Sequence, residues 1–190
     1  MTASTMLPLI ARAKLFGNPT RSRAQISPDG RWLSWIAPKD GVLNVWLAPA
    51  EDLGAARVIT EDKKRGIRFY GWAYDSLHVL YMQDEGGTED FHIFAVTIAS
   101  GETRDLTPVA GVQARFHDMS LDEPNVVAIA INDRDKAWHD LYRIDIRSGE
   151  RELLFENRQE LSRIVKKMHG RSCWSRPGLA PARSVSPRML

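Results

Sequence analysis

A chain of 190 residues with 43% hydrophobic and 26% charged residues carries enough apolar material for a buried core, which excludes disorder as a description of the whole. The formal net charge is +2, yet residues 1–165 hold 20 Lys and Arg against 24 Asp and Glu, whereas 166–190 add six basic residues and no acidic one. The positive excess belongs to the tail, so no nucleic-acid partner is expected. A single cysteine, Cys173, excludes an intrachain disulfide and a cysteine-built metal site. No run approaches the roughly 20 apolar residues of a membrane span, and the first charges follow a short apolar run instead of preceding it, unlike a signal peptide. A cytoplasmic protein without membrane contact is the expectation.

Residues 1–23 read as an extended lead-in, because Pro8, Gly17 and Pro19 discourage a long helix. Leu15 and Phe16 are its expected anchors to the body. A partial β-propeller over 24–165 follows, and its first blade occupies about 24–60: Ala24–Ile26, Trp32–Ile36, Val42–Ala48 and Arg57–Thr60, with turns at Pro28-Asp29-Gly30 and Lys39-Asp40-Gly41. The second, about 68–107, reads Arg68–Trp72, Leu77–Met82, Phe91–Thr97 and Thr103–Thr107. The third, about 115–155, reads Arg115–Met119, Asn125–Ile131, His139–Ile146 and Arg151–Phe155. The tail, 166–190, has no alternation and many Arg, Ser and Pro. Its composition fits a GC-rich gene read out of frame after about Val165, or else a natural basic, disordered segment.

The three units agree in register. Their turn aspartates Asp29, Asp75 and Asp122 lie 46 and 47 residues apart, and Ile59, Leu106 and Leu154 in the fourth strands lie 47 and 48 apart. A period in the forties with four strands per unit predicts an all-β fold, an incomplete propeller of about three four-stranded antiparallel blades. Alternation supports strands: Tyr142, Ile144 and Ile146 share one face of the third unit, Arg143 and Asp145 the other. The run Val126–Ile131 is apolar throughout, as suits a strand covered on both sides. Exposed edges at Ala24–Ile36 and Arg151–Phe155 would invite pairing with another chain.

Few residues suggest chemistry. None of His78, His92, His117, His139 and His169 pairs with another at a metal-binding spacing, so packing or hydrogen bonding is expected of them and no metal or cofactor is assigned. His139-Asp140 reads as a strand start. The loop Asp84-Glu85-Gly86-Gly87-Thr88-Glu89-Asp90 gathers four carboxylates, Asp84, Glu85, Glu89 and Asp90, which are the candidates for attracting a peptide's amino terminus. Calcium loops alternate their ligands and this one does not; a solvated hairpin loop is the plain alternative. Lys63-Lys64-Arg65 and Arg68 read as an exposed linker between blades, offset by Glu61 and Asp62. Tryptophans 32, 35, 46 and 72 fall on strand positions and read as blade packing.

An ordered series of short motifs adds a family. L-F-G-N-P at 15–19, I-S-P-D-G-R-W at 26–32, K-R-G-I-R at 64–68, W-A-Y-D at 72–75, Y-M-Q-D-E-G-G at 81–87, R-D-L-T-P at 104–108 and N-D-R-D at 132–135 resemble the prolyl oligopeptidase family of serine peptidases, in its acylaminoacyl- and dipeptidyl-peptidase-like bacterial branch. The resemblance covers about residues 7–165. It implies an N-terminal propeller that caps an α/β-hydrolase domain and restricts access to peptides. Serine, acid and histidine would then lie in that hydrolase domain. A nucleophile elbow requires Gly-x-Ser-x-Gly, and the nearest approach in this chain is Gly170-Arg171-Ser172-Cys173-Trp174, where Trp replaces the second glycine. No catalytic residue is therefore assigned. The implied function is a substrate-gating propeller fragment of a serine peptidase of aminoacyl or dipeptidyl type, inactive alone, whose partner is a peptide. The second reading is a stand-alone propeller-like module that binds peptides or proteins.

Overall fold

A computed structural model describes residues 10–17, 20–84 and 86–158. Among these residues twelve strands form three separate four-stranded antiparallel sheets, and within each sheet the spatial order follows the chain. The first sheet holds β1 (Ser22–Ile26), β2 (Trp32–Lys39), β3 (Val42–Pro49) and β4 (Arg57–Val58). The second holds β5 (Tyr70–Trp72), β6 (His78–Asp84), β7 (Phe91–Thr97) and β8 (Thr103–Asp105). The third holds β9 (Ala114–Met119), β10 (Val126–Asp135), β11 (Trp138–Asp145) and β12 (Arg151–Phe155). This is the all-β architecture expected from the repeat, three four-stranded antiparallel blades of a β-propeller.

Turn chemistry explains why the period is so regular. Ser27 Oγ donates to Asp29 Oδ1 at 2.5 Å, and the same carboxylate accepts the Arg31 amide at 3.1 Å. Trp32 N donates back to Ser27 Oγ at 3.0 Å, and Gly30 closes the turn at φ +75°. Asp75 repeats the device by accepting the amides of Leu77 (2.9 Å) and His78 (3.1 Å). Each turn also reaches the next blade. Asp29 N donates to Ser76 Oγ at 3.0 Å, and Asp75 N donates to Pro124 O at 3.1 Å. The aspartate spacing is thus the spacing of inter-blade bonds.

Between the blades the packing is apolar. Val45, Leu47, Ile59, Ile67, Trp72 and Val79 fill the junction of the first two, and the Trp72 indole is satisfied by Ser34 Oγ at 2.9 Å. Leu80, Ile93, Leu106, Val127, Ile129 and Ile144 fill the second junction. Val126, Ala128 and Ala130 pack with Leu141 on the opposite face of β10. That strand is buried on both sides, as its unbroken apolar run predicts, and each fully buried Ile is worth about 1.5–3 kcal/mol relative to an exposed one.

Four expectations need correction. The lead-in is not extended throughout: Arg12–Phe16 forms a short helix, α1, because Arg, Ala, Lys and Leu are good helix formers and the breaker, Gly17, comes only after them. Leu15 and Phe16 do not anchor it, being 58% and 78% exposed. The edge near the start is β1 alone, since β2, which contains Trp32–Ile36, is hydrogen-bonded to β1 on one side and β3 on the other. Strand limits also shift: β1 begins at Ser22, and β4 stops at Val58 because the Thr60 side chain takes over the ladder, accepting the Val45 amide at 2.8 Å.

Candidate functional site

The acidic loop links β6 to β7 and divides its carboxylates between two roles. Asp84 closes β6 with its side chain only 6% exposed, where it accepts Arg65 Nη1 at 2.9 Å and the Glu89 amide at 3.3 Å. It braces the loop from beneath. Glu89, at φ +62°, is exposed, and Asp90 is half-buried with its amide donated to Thr88 Oγ1 at 3.3 Å. Glu85 lies outside the described residues. Gly87, at φ +98°, packs so closely on Arg65 that a Cβ there would sit 2.9 Å from Nη1.

Arg65 is positioned by the linker that carries the basic cluster. Asp62 accepts the amides of Lys64 (3.1 Å) and Gly66, its own amide donates to Asn44 Oδ1 at 2.8 Å, and Ile67 N donates to Leu43 O at 2.8 Å. A segment that reads as a solvated charge run is therefore partly a structural clasp. Arg65 spends its charge on Asp84, whereas Lys63, Lys64 and Arg68 are exposed on the same linker. Among the described residues the rim formed by the 84–90 loop offers one exposed carboxylate, Glu89, and a second partly exposed one, Asp90, to a cation.

Two of the histidines, His78 and His92, are tied to carboxylates. His78 Nδ1 lies 2.7 Å from Asp75 Oδ2, and His92 Nδ1 lies 2.7 Å from Asp105 Oδ2. Each couple resembles two-thirds of a Ser-His-Asp array, but among the described residues no serine hydroxyl bonds to either ring. Burial pushes the Asp75 carboxyl up, and the bonds from His78 and from the Leu77 amide more than reverse it, so its pKa lies below the ordinary value. His139 lies on β11, as expected of a strand start; burial first, then the nearby Arg115, holds its pKa below the usual imidazole range. Among the described residues no group of three or more His, Cys, Asp or Glu is placed to hold a metal ion. His169 and Gly170–Trp174 lie outside them.

A polar position inside the blades is hidden in the sequence. Asn44, His92 and Asp140 lie 48 residues apart, early in β3, β7 and β11. Each ties its third strand to the fourth strand or the segment after it. Asn44 Oδ1 accepts from Thr60 Oγ1 (2.9 Å) and from the Asp62 amide, His92 bonds Asp105, and Asp140 Oδ1 accepts the Asn157 amide at 2.7 Å. The equal spacing is the available signal, but three unlike side chains mask it. Asp140 is also held by Arg134 through Nε (2.6 Å) and Nη2 (2.9 Å), and that guanidinium sets its pKa below the ordinary value.

Three meanders side by side define a portion of a β-propeller, and no nucleophile–base–acid array is assembled among the described residues. The solved structures agree on the fold. The β-propeller domain of the Trilobed protease from Pyrococcus furiosus superposes with a TM-score of 0.51 at 20% identity, over 72% of this chain and 43% of that one. The acylaminoacyl peptidase of Pyrococcus horikoshii superposes with a TM-score of 0.50 at 18% identity, over 72% of this chain and 25% of that one. No family model matches the chain. Dipeptidyl aminopeptidase BIII from Pseudoxanthomonas mexicana is 49% identical over 157 residues, covering 83% of this chain but 23% of its own length. The chain is a relative of the propeller-bearing peptidases that its motifs resemble, and it spans less than a quarter of that curated relative.

Proposed function

We infer that this chain is a substrate-gating part of a dipeptidyl- or aminoacyl-type serine peptidase, with the hydrolytic groups carried outside these 190 residues. The observation that supports the reading most is the 49% identity over 157 residues to dipeptidyl aminopeptidase BIII. The rim formed by the 84–90 loop is its contribution to the substrate. Glu89 and Asp90 draw the ammonium end of a short peptide by charge, while Asp84 and Arg65 keep the loop in place. Blade walls narrow enough to exclude folded proteins would select short chains, and the acyl-transfer step would follow at a serine elsewhere.

The reading makes a direct biochemical prediction. Purified chain is expected to show neither hydrolysis of aminoacyl or dipeptidyl amides nor labelling by a fluorophosphonate probe, because Gly-x-Ser-x-Gly is absent from its 190 residues. Turnover above a buffer blank, lost on denaturation, would overturn it. At the gene, translation of all frames downstream of codon 165 is expected to yield a Gly-x-Ser-x-Gly segment.

A further inference from the structure

A pocket of about 380 Å³ opens between the second and third blades, on the edge formed by the β5–β6, β7–β8 and β11–β12 turns. In an antiparallel meander these turns lie at the end of the blade opposite the β6–β7 loop, so the pocket is separate from the acidic rim. Its floor is apolar: Ala95, Ile98 and Ile146 are each at most 5% exposed. Its mouth is charged by Glu102, Arg104 and Arg147, all of them exposed. Arg104 is steadied across the blade gap, with Nη1 donating to Ser148 O at 3.2 Å. Arg147 stands 3.9 Å from the Asp75 carboxylate, too far for a hydrogen bond, so its donors are not used up there.

The core of this junction is packed with aliphatic side chains, and at this end it is open and bears charges of both signs. Two guanidinium groups match a carboxylate, Glu102 can accept from an ammonium, and the floor takes an aliphatic side chain. The volume lies at the small end of ligand pockets, which suits a single small molecule and not a folded partner. We propose that this pocket binds a free apolar α-amino acid, its carboxylate held by Arg104 and Arg147, its ammonium by Glu102, and its side chain on the Ala95–Ile98–Ile146 floor. The assignment stands apart from the peptidase reading, and neither depends on the other.

The test is titration of L-leucine into the isotope-labelled full chain, followed by amide chemical shifts. Shifts are expected at Ile98, Glu102 and Arg147 and not at Glu89 or Asp90. Two analogues separate the contacts: 4-methylpentanoate lacks the ammonium and 3-methylbutylamine lacks the carboxylate, and each should bind more weakly than leucine. Glu102→Gln should weaken leucine about two- to fivefold, as for an exposed ion pair, without weakening 4-methylpentanoate, whereas Arg147→Gln should weaken both. Both positions are exposed, and Ala99→Trp, which fills the mouth from another exposed lining position, should abolish the shifts. The proposal is overturned by the absence of localised shifts up to the solubility limit of leucine, by equal affinity for leucine and 4-methylpentanoate, or by affinities that neither charge variant changes.

Discussion

Asp140 shows at the scale of one residue how a buried charge is kept. Its side chain is 1% exposed and is held by two bonds from Arg134 and one from the Asn157 amide. Removing the carboxylate as Asp140→Ala leaves those donors without their acceptor. Breaking a fully buried pair costs about 3–5 kcal/mol, but Arg134 is partly solvated, so a loss of about 2–3 kcal/mol is expected in urea denaturation. The same site fixes the sign of the acid response. Arg134 lowers the pKa of Asp140 below 3.8, so its stabilisation is fully present above that value and is lost as pH falls through the lower folded value. Denaturation midpoints should therefore drop below about pH 4, and Asp140→Asn should drop less steeply than wild type. Asp75 and Asp145, also shifted down, keep the variant from becoming flat. A wild-type midpoint indifferent to pH between about 2 and 4 would contradict this assignment.

At the scale of the element, the fourth strands of the first two blades are shorter than their apolar residues suggest. β4 has two residues and β8 three, yet Ile59 and Leu106 beyond them are buried. A threonine completes each ladder: Thr60 Oγ1 accepts the Val45 amide at 2.8 Å and Thr107 Oγ1 accepts the Ile93 amide at 3.1 Å. Valine keeps the shape and deletes the acceptor, so Thr60→Val and Thr107→Val should each cost about 1–3 kcal/mol, the penalty of a buried unpaired amide. Amide hydrogen exchange at Val45 and Ile93 should speed up in the respective variants, and unchanged protection would show that the threonines are incidental. Blade membership was legible from turn residues and alternation, because both act between neighbours in the chain. Strand ends were not, since a side-chain acceptor replaces a backbone one only once two strands have met.

For the whole molecule, the outer strand of the third blade is an unpaired edge among the described residues. β12 bonds to β11 on one side, and Leu153 and Phe155 are 49% and 40% exposed. Exposed edges with apolar side chains pair with other chains, so the purified protein should sediment as a concentration-dependent mixture. The double substitution Leu153→Lys and Phe155→Lys should shift it toward monomer, because lysines on an edge oppose pairing. A wild-type chain that stays monomeric over the same concentrations would remove the edge from consideration.

The order of the chain determined that the protein is built of three like units of four strands, because Pro-Asp-Gly turns, two-residue alternation and a 46- to 48-residue period are all written between near neighbours. Tertiary structure alone decided that Asp84 braces its loop while Glu89 faces solvent, that Asn44, His92 and Asp140 do one job, and that an open pocket interrupts the junction of two blades. Each of those depends on atoms from separate strands or blades coming within a few ångströms of one another, a property of the packed sheets and not of any single stretch.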